Sequence, residues 1–153
     1  MVYGTILIVD DEEQMLHLLD IELSSEGYNV IKAKDAKEAI QKAQAMLPDV
    51  ILLDILMPNM DGTQVARALK ASPRTKDIPI IFLTAILKKE EEMRRKIERI
   101  KVENIYYLTL AKPLDSQRLL MLLSRIFTAQ AKLPRMEAGV INSARENKAR
   151  EIR

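Results

Sequence analysis

Five short apolar runs, each followed by a segment of helical periodicity, constrain the fold of this chain more than any other feature. The runs are Thr5–Val9, Asn29–Ala33, Val50–Leu53, Ile80–Leu83 and Tyr106–Leu110. Their shortness, β-branched content and turn-forming flanks are those of buried strands. Between them the periodicity predicts helices over about 12–26, 35–46, 62–71 and 88–101, and a fifth helix starting near Asp115. The punctuation agrees. Gly27 is placed to stop the first helix. Asp35, with Glu38 three residues on, makes a capping-box-like start for the second. Pro48, Pro73 and Pro79 fall between elements, and Pro58 with the pair Asp61-Gly62 marks a loop turning into the third helix. Leu119, Leu122, Leu123, Ile126 and Phe127 form one apolar stripe, so the fifth helix is expected to pack on a sheet. Strands alternating with helices in this way predict an α/β fold, a doubly wound (βα)5 with a five-stranded parallel sheet between helical layers. Right-handed crossovers leave few strand orders open.

A chain of 153 residues has room for one domain with a real core. That domain is expected over 1–131, with 132–153 a basic tail or linker, because residues 135–153 carry five Lys/Arg and three Glu among few apolar residues. The formal net charge of +2 is too small to imply nucleic acid. With no cysteine there is no disulfide framework and no thiolate metal site. The first residues form no basic leader, and no apolar run reaches membrane-spanning length. A cytoplasmic protein without membrane contact is the simplest expectation.

The chemistry lies where strands end. Asp10 and Asp11 close the first strand, Asp54 the third and Thr84 the fourth, while Lys112 follows the fifth. In an open α/β sheet those positions fall on one edge, the edge where such folds bind ligands. Three carboxylates gathered there repel one another unless positive charge is supplied. A hard divalent cation with oxygen ligands suits them, and Mg²⁺ binds through one or two carboxylates together with phosphate oxygens. Lys112 adds a cation and Thr84 a hydroxyl donor. The set suits transfer of a phosphoryl group onto Asp54, since a carboxylate can act as nucleophile to form an aspartyl phosphate.

Four motifs carry a family resemblance: ILIVDDE at 6–12, LLDILMPNMDG at 52–62, IIFLTA at 80–85 and AKPL at 111–114. In this order and at strand ends they closely resemble the receiver domain of bacterial two-component response regulators, over about residues 5–130. The resemblance implies a flavodoxin-like sheet of order 2-1-3-4-5. It implies Asp54 as phosphoacceptor. Asp11, Asp54 and the backbone carbonyl of Leu56 would ligate Mg²⁺, with Asp10 acting through water. Lys112 would contact the phosphoryl group and Thr84 would be the switch hydroxyl. It further implies a sensor histidine kinase or phosphotransfer protein as donor and an unidentified downstream protein as target. The output face, which could also form a homodimer, would comprise the fourth helix, fifth strand and fifth helix. On this reading the chain is a phosphoacceptor with at most slow self-phosphorylation and self-dephosphorylation, not an enzyme.

Some positions depart from the family. The place of its aromatic switch residue, three before the Lys, holds Thr109, and the nearest aromatics are Tyr106 and Tyr107. These read either as strand residues packing on the sheet or as a displaced switch. Leu56 and Ile86, two after Asp54 and Thr84, are apolar where attacking water approaches, which predicts slow loss of phosphate. His17 reads as a structural helix residue rather than a relay site. The charged segment 88–101 is either a solvated face with i,i+4 pairs or a surface for an acidic partner. Three rivals compete: a receiver fold that binds partners without phosphorylation, the truncated input domain of a larger regulator, and a haloacid-dehalogenase-type hydrolase. The spacing required for the last, DxDGT after the first strand, is absent.

Overall fold

The computed structural model describes residues 4–57, 60–85, 107–112 and 115–131. Side chains at 56, 60, 84, 85, 107–109, 111, 112, 130 and 131 lie outside that description. So do the charged segment 88–101 and the stretch 132–153 as a whole.

The strands are β1 (Thr5–Val9), β2 (Asn29–Ala33), β3 (Val50–Asp54), β4 (Ile80–Ala85) and β5 (Tyr107–Lys112). Helices α1 (Glu13–Ser25), α2 (Ala36–Met46) and α3 (Gly62–Ala71) connect the first four. β2, β1, β3 and β4 lie side by side in that order, all parallel, which is the flavodoxin-like arrangement. β5 runs parallel to β4 from Ile80↔Tyr107 to Ala85↔Lys112. The chain divides after Asp115 into two compact units, the second containing the helix Ser116–Ala131. In that helix Leu119, Leu123 and Ile126 are buried, three members of the expected stripe.

Alternation along the strands separates two faces of the sheet. Leu7, Val9, Ile51, Leu53 and Phe82 share one cluster with Ala39 and Ala43 of α2 and Val65, Ala66 and Leu69 of α3. Ile6, Ile8 and Leu52 point the opposite way and are equally buried, on the side where α1 brings Leu16, Leu19 and Leu23. Central β3 is therefore buried along its whole length, as its unbroken apolar run requires. Each such side chain contributes about 1.5–3 kcal/mol through burial. That packing holds the end of β3, and hence Asp54, in a fixed place.

The local signals act as expected. Asp35 Oδ1 accepts the Glu38 N–H at 2.8 Å and opens α2. Gly27, at φ 94°, takes the left-handed conformation that ends α1. Two expectations need correction. β4 and β5 extend past their apolar runs, because the ladder continues through Thr84↔Ala111 and Ala85↔Lys112. Lys112 is thus the last residue of its strand, not a residue beyond it. The segment after Asp54 is more than a loop: Leu56–Met57 pairs antiparallel with Met60–Asp61, so the chain leaves β3 and returns to start α3 beside it.

Candidate functional site

The carboxyl end of the sheet gathers acid. Val9 is level with Leu53 across β1 and β3, so the next residues, Asp10 and Asp54, end adjacent strands side by side. Both are almost fully buried, at 1% and 3% exposure, whereas Asp11 is exposed. The Asp10 N–H donates to Ala33 O at 3.1 Å, extending the β1–β2 ladder by one residue. Asp10 Oδ1 accepts the Glu12 N–H at 2.9 Å and turns the chain into α1. One carboxylate oxygen from each of Asp10, Asp11 and Asp54 lies within 4.8 Å of the other two. At that spacing each ionised pair repels by roughly 3 kcal/mol in a medium of effective dielectric about 20. An all-oxygen, all-carboxylate donor set of this size is chemically suited to a hard divalent cation such as Mg²⁺.

Gly62 is the part of the site that sequence reasoning undervalued, taking it for a turn residue. Its N–H donates to Ile55 O at 3.0 Å, which closes the ribbon against the end of β3. A Cβ at Gly62 would lie 2.8 Å from Ile55 Cα and closer still to the carbonyl oxygen of Asp54. Neither obstacle is a side chain that can turn away, so only glycine fits. The adjacent Asp61 caps α3, its Oδ1 accepting from the Thr63 N–H at 2.9 Å and the Thr63 hydroxyl at 2.7 Å. Together they set the path of the chain immediately behind Asp54. The only advance signal was the Asp-Gly pair itself.

The remaining candidates are located by backbone register. Asp54 is level with Leu83, so Thr84 lies one residue beyond it on the neighbouring strand. Lys112 pairs with Ala85 at the same sheet edge. Tyr107 pairs with Ile80, at the opposite end of β4. Its backbone is four residues, or about 13 Å, along the strand from the level of Thr84. Leu56 belongs to the ribbon by its backbone. The side chains of Leu56, Thr84, Tyr107 and Lys112, and all of Ile86 and Tyr106, lie outside the described residues.

A model of the response regulator receiver domain matches residues 6–124. The chain belongs to this family. Its relatives include the response regulator PleD of Caulobacter vibrioides, 47% identical over 81 residues, which are 53% of this chain and 18% of PleD. The phosphate regulon transcriptional regulatory protein PhoB of Pseudomonas aeruginosa is 38% identical over 126 residues, 82% of this chain and 52% of PhoB. This receiver thus spans about half of PhoB and under a fifth of PleD. Among solved structures, the chemotaxis protein CheY4 of Vibrio cholerae matches with a TM-score of 0.70 and 30% identity, over 80% of this chain and 98% of CheY4. The receiver domain of a signal transduction histidine kinase from Syntrophus aciditrophicus matches with a TM-score of 0.71 and 28% identity, over 87% and 96% of the two chains.

α1 begins two residues after Asp11, and its outer face carries Leu18 and Ile21, 62% and 56% exposed. They are three residues apart and so neighbours on one helical face. No described helix is long and apolar enough to cross a membrane.

Proposed function

We propose that this receiver, expected over residues 1–131, accepts a phosphoryl group on Asp54 from a phosphohistidine of a sensor kinase or phosphotransfer protein. The observation that carries the proposal is the convergence of three carboxylates from two adjacent strand ends within 4.8 Å. Asp10, Asp11, Asp54 and the backbone carbonyl of Leu56 would hold Mg²⁺, which when bound supplies the positive charge that lets phosphoryl oxygens approach the carboxylates.

The residues of this chain then divide the work. A carboxylate oxygen of Asp54 attacks phosphorus; the new P–O bond forms as the P–N bond to the donor imidazole breaks, and the electron pair leaves on that nitrogen. Catalysis of this kind is mostly positioning and charge neutralisation. β3 supplies the positioning: it is buried from Val50 to Asp54 and buttressed by Gly62. Lys112 neutralises a phosphoryl oxygen and Thr84 donates its hydroxyl to another. Leu56 and Ile86 shield the aspartyl phosphate from water and slow its hydrolysis. The exposed Leu18–Ile21 face of α1 suits docking of an apolar helix stripe of the donor, which brings its phosphohistidine to the acidic end. Output passes through the surface of segment 88–101, β5 and the 116–131 helix to a downstream protein or a second copy. The chain acts as a phosphoacceptor rather than a turnover enzyme.

The test is mass spectrometry of the protein after incubation with acetyl phosphate and Mg²⁺. One added phosphoryl group, lost in Asp54→Ala, supports the proposal. No addition, or addition that survives Asp54→Ala, rejects it.

A further inference from the structure

β2 is the outermost strand of the sheet among the described residues. The direction of its backbone groups follows from the ladder. The Asn29 N–H donates inward to Gly4 O at 2.8 Å, and Ala33 O accepts inward from Asp10 N–H. Alternation in a parallel pair then turns Ile31 inward as well, and turns the N–H and C=O groups of Val30 and Lys32 outward. One contact bears this out: Lys42 of α2 lays its ammonium against the outer side of β2 and donates to Lys32 O at 2.5 Å. The same ammonium is held from behind by Glu38 Oε1 at 2.6 Å, one helical turn earlier. A long cation thus crosses from a helix to occupy an outward carbonyl of an edge strand. Edge strands are templates for pairing with other chains, and charged lysines are among the means by which proteins close them.

We propose that the outer edge of β2 is a latent pairing surface for β2 of a second copy of this chain, and that Lys42 keeps it closed. The strand is self-complementary. In an antiparallel arrangement with a two-fold axis at Ile31, Val30 of one copy faces Lys32 of the other, and each facing pair exchanges two N–H···O bonds. With Lys42 in place the Lys32 carbonyl is already engaged. Two ammonium groups would also converge across the axis, a like-charge contact that opposes association. Asp54 takes no part: it ends β3, two strands in from this edge, so the pairing involves no phosphoryl chemistry.

The experiment is sedimentation equilibrium of the unphosphorylated full chain, wild type against Lys42→Met and Lys42→Arg. Methionine keeps the aliphatic stem over the sheet but removes the donor and the charge, whereas arginine retains both. The expected result is a monomer for wild type and Lys42→Arg, and a concentration-dependent dimer for Lys42→Met. Amide hydrogen exchange locates the contact. In Lys42→Met the Val30 and Lys32 amides gain protection as concentration rises, while those of Asn29 and Ile31, already bonded inward, do not change. A Lys42→Met protein that stays monomeric at the highest soluble concentration overturns the proposal. A dimer that protects amides elsewhere and leaves Val30 and Lys32 unchanged overturns it too.

Discussion

Replacing Gly62 with alanine is expected to damage the metal site without touching a charged group. The new Cβ would sit 2.8 Å from Ile55 Cα and nearer still to the Asp54 carbonyl oxygen. Both are backbone atoms at the end of a strand buried on each face, so relief requires moving β3 or the start of α3. Overpacking of this kind costs about 1–3 kcal/mol. Alanine recovers up to about 1 kcal/mol through its better helical propensity. Contacts this short with unyielding backbone put the cost at the upper end, about 2–3 kcal/mol, so the net loss is about 1–2 kcal/mol, or roughly 2–8 °C in Tm for a chain of this size. The strain falls on the peptide that carries Asp54, so Mg²⁺ affinity should weaken alongside. Gly27→Ala is the control: it forces a side chain onto φ 94° at the far end of α1 and should cost about 1 kcal/mol with no change in Mg²⁺ affinity. Thermal unfolding and Mg²⁺ titration of both variants check this. Gly62→Ala with native Tm and native affinity, or Gly27→Ala with an equal loss of affinity, would show that Gly62 does not buttress the metal site.

Other expectations are simpler. Lys32 Nζ lies 2.9 Å from Asp20 Oδ2, and this hydrogen bond, helped by the Ser24 hydroxyl, holds the Asp20 carboxyl below its ordinary value. A depressed folded pKa gives stability that is present above the unfolded value of about 3.9 and lost as pH falls through the folded one. The difference in unfolding free energy between wild type and Lys32→Met should thus be small at neutral pH, under about 1 kcal/mol for a partly exposed pair, and should vanish in acid; a difference that grows on acidification contradicts this. Asp35→Ala removes the cap of α2 and should cost about 1 kcal/mol by urea unfolding. Leu18→Asp with Ile21→Asp should abolish transfer from a phosphohistidine donor yet leave labelling by acetyl phosphate intact, and equal loss of both would sink the docking reading. Polar residues at Leu56 and Ile86 should shorten the half-life of the phosphorylated protein; unchanged decay dismisses their role.

The described strands and helices were legible because the apolar runs of β1 and β3 are unbroken and the caps at Gly27 and Asp35 are local chemistry. The grouping of Asp10 with Asp54 was legible for a topological reason: strands of one parallel sheet end on one edge, and each Asp directly follows an apolar run. The ribbon at 56–61 was not legible, since a pairing of two residues on each side leaves no periodic trace and Pro58 reads as loop. The need for Gly62 was hidden for a different reason. It depends on two backbones meeting, Ile55 and the start of α3, and no pattern along the chain reports such an approach. Nor could the reach of Lys42 to β2 be read, because it joins residues ten apart across two elements.

Fluorine NMR of the protein with beryllofluoride, a mimic of the aspartyl-bound phosphoryl group, checks whether Asp10, Asp11 and Asp54 form one pocket for a divalent cation and a phosphoryl group. A bound fluoride signal is expected that requires Mg²⁺ and disappears in Asp54→Asn and in Asp11→Asn. A bound signal without Mg²⁺, or one that persists in Asp54→Asn, would contradict such a pocket.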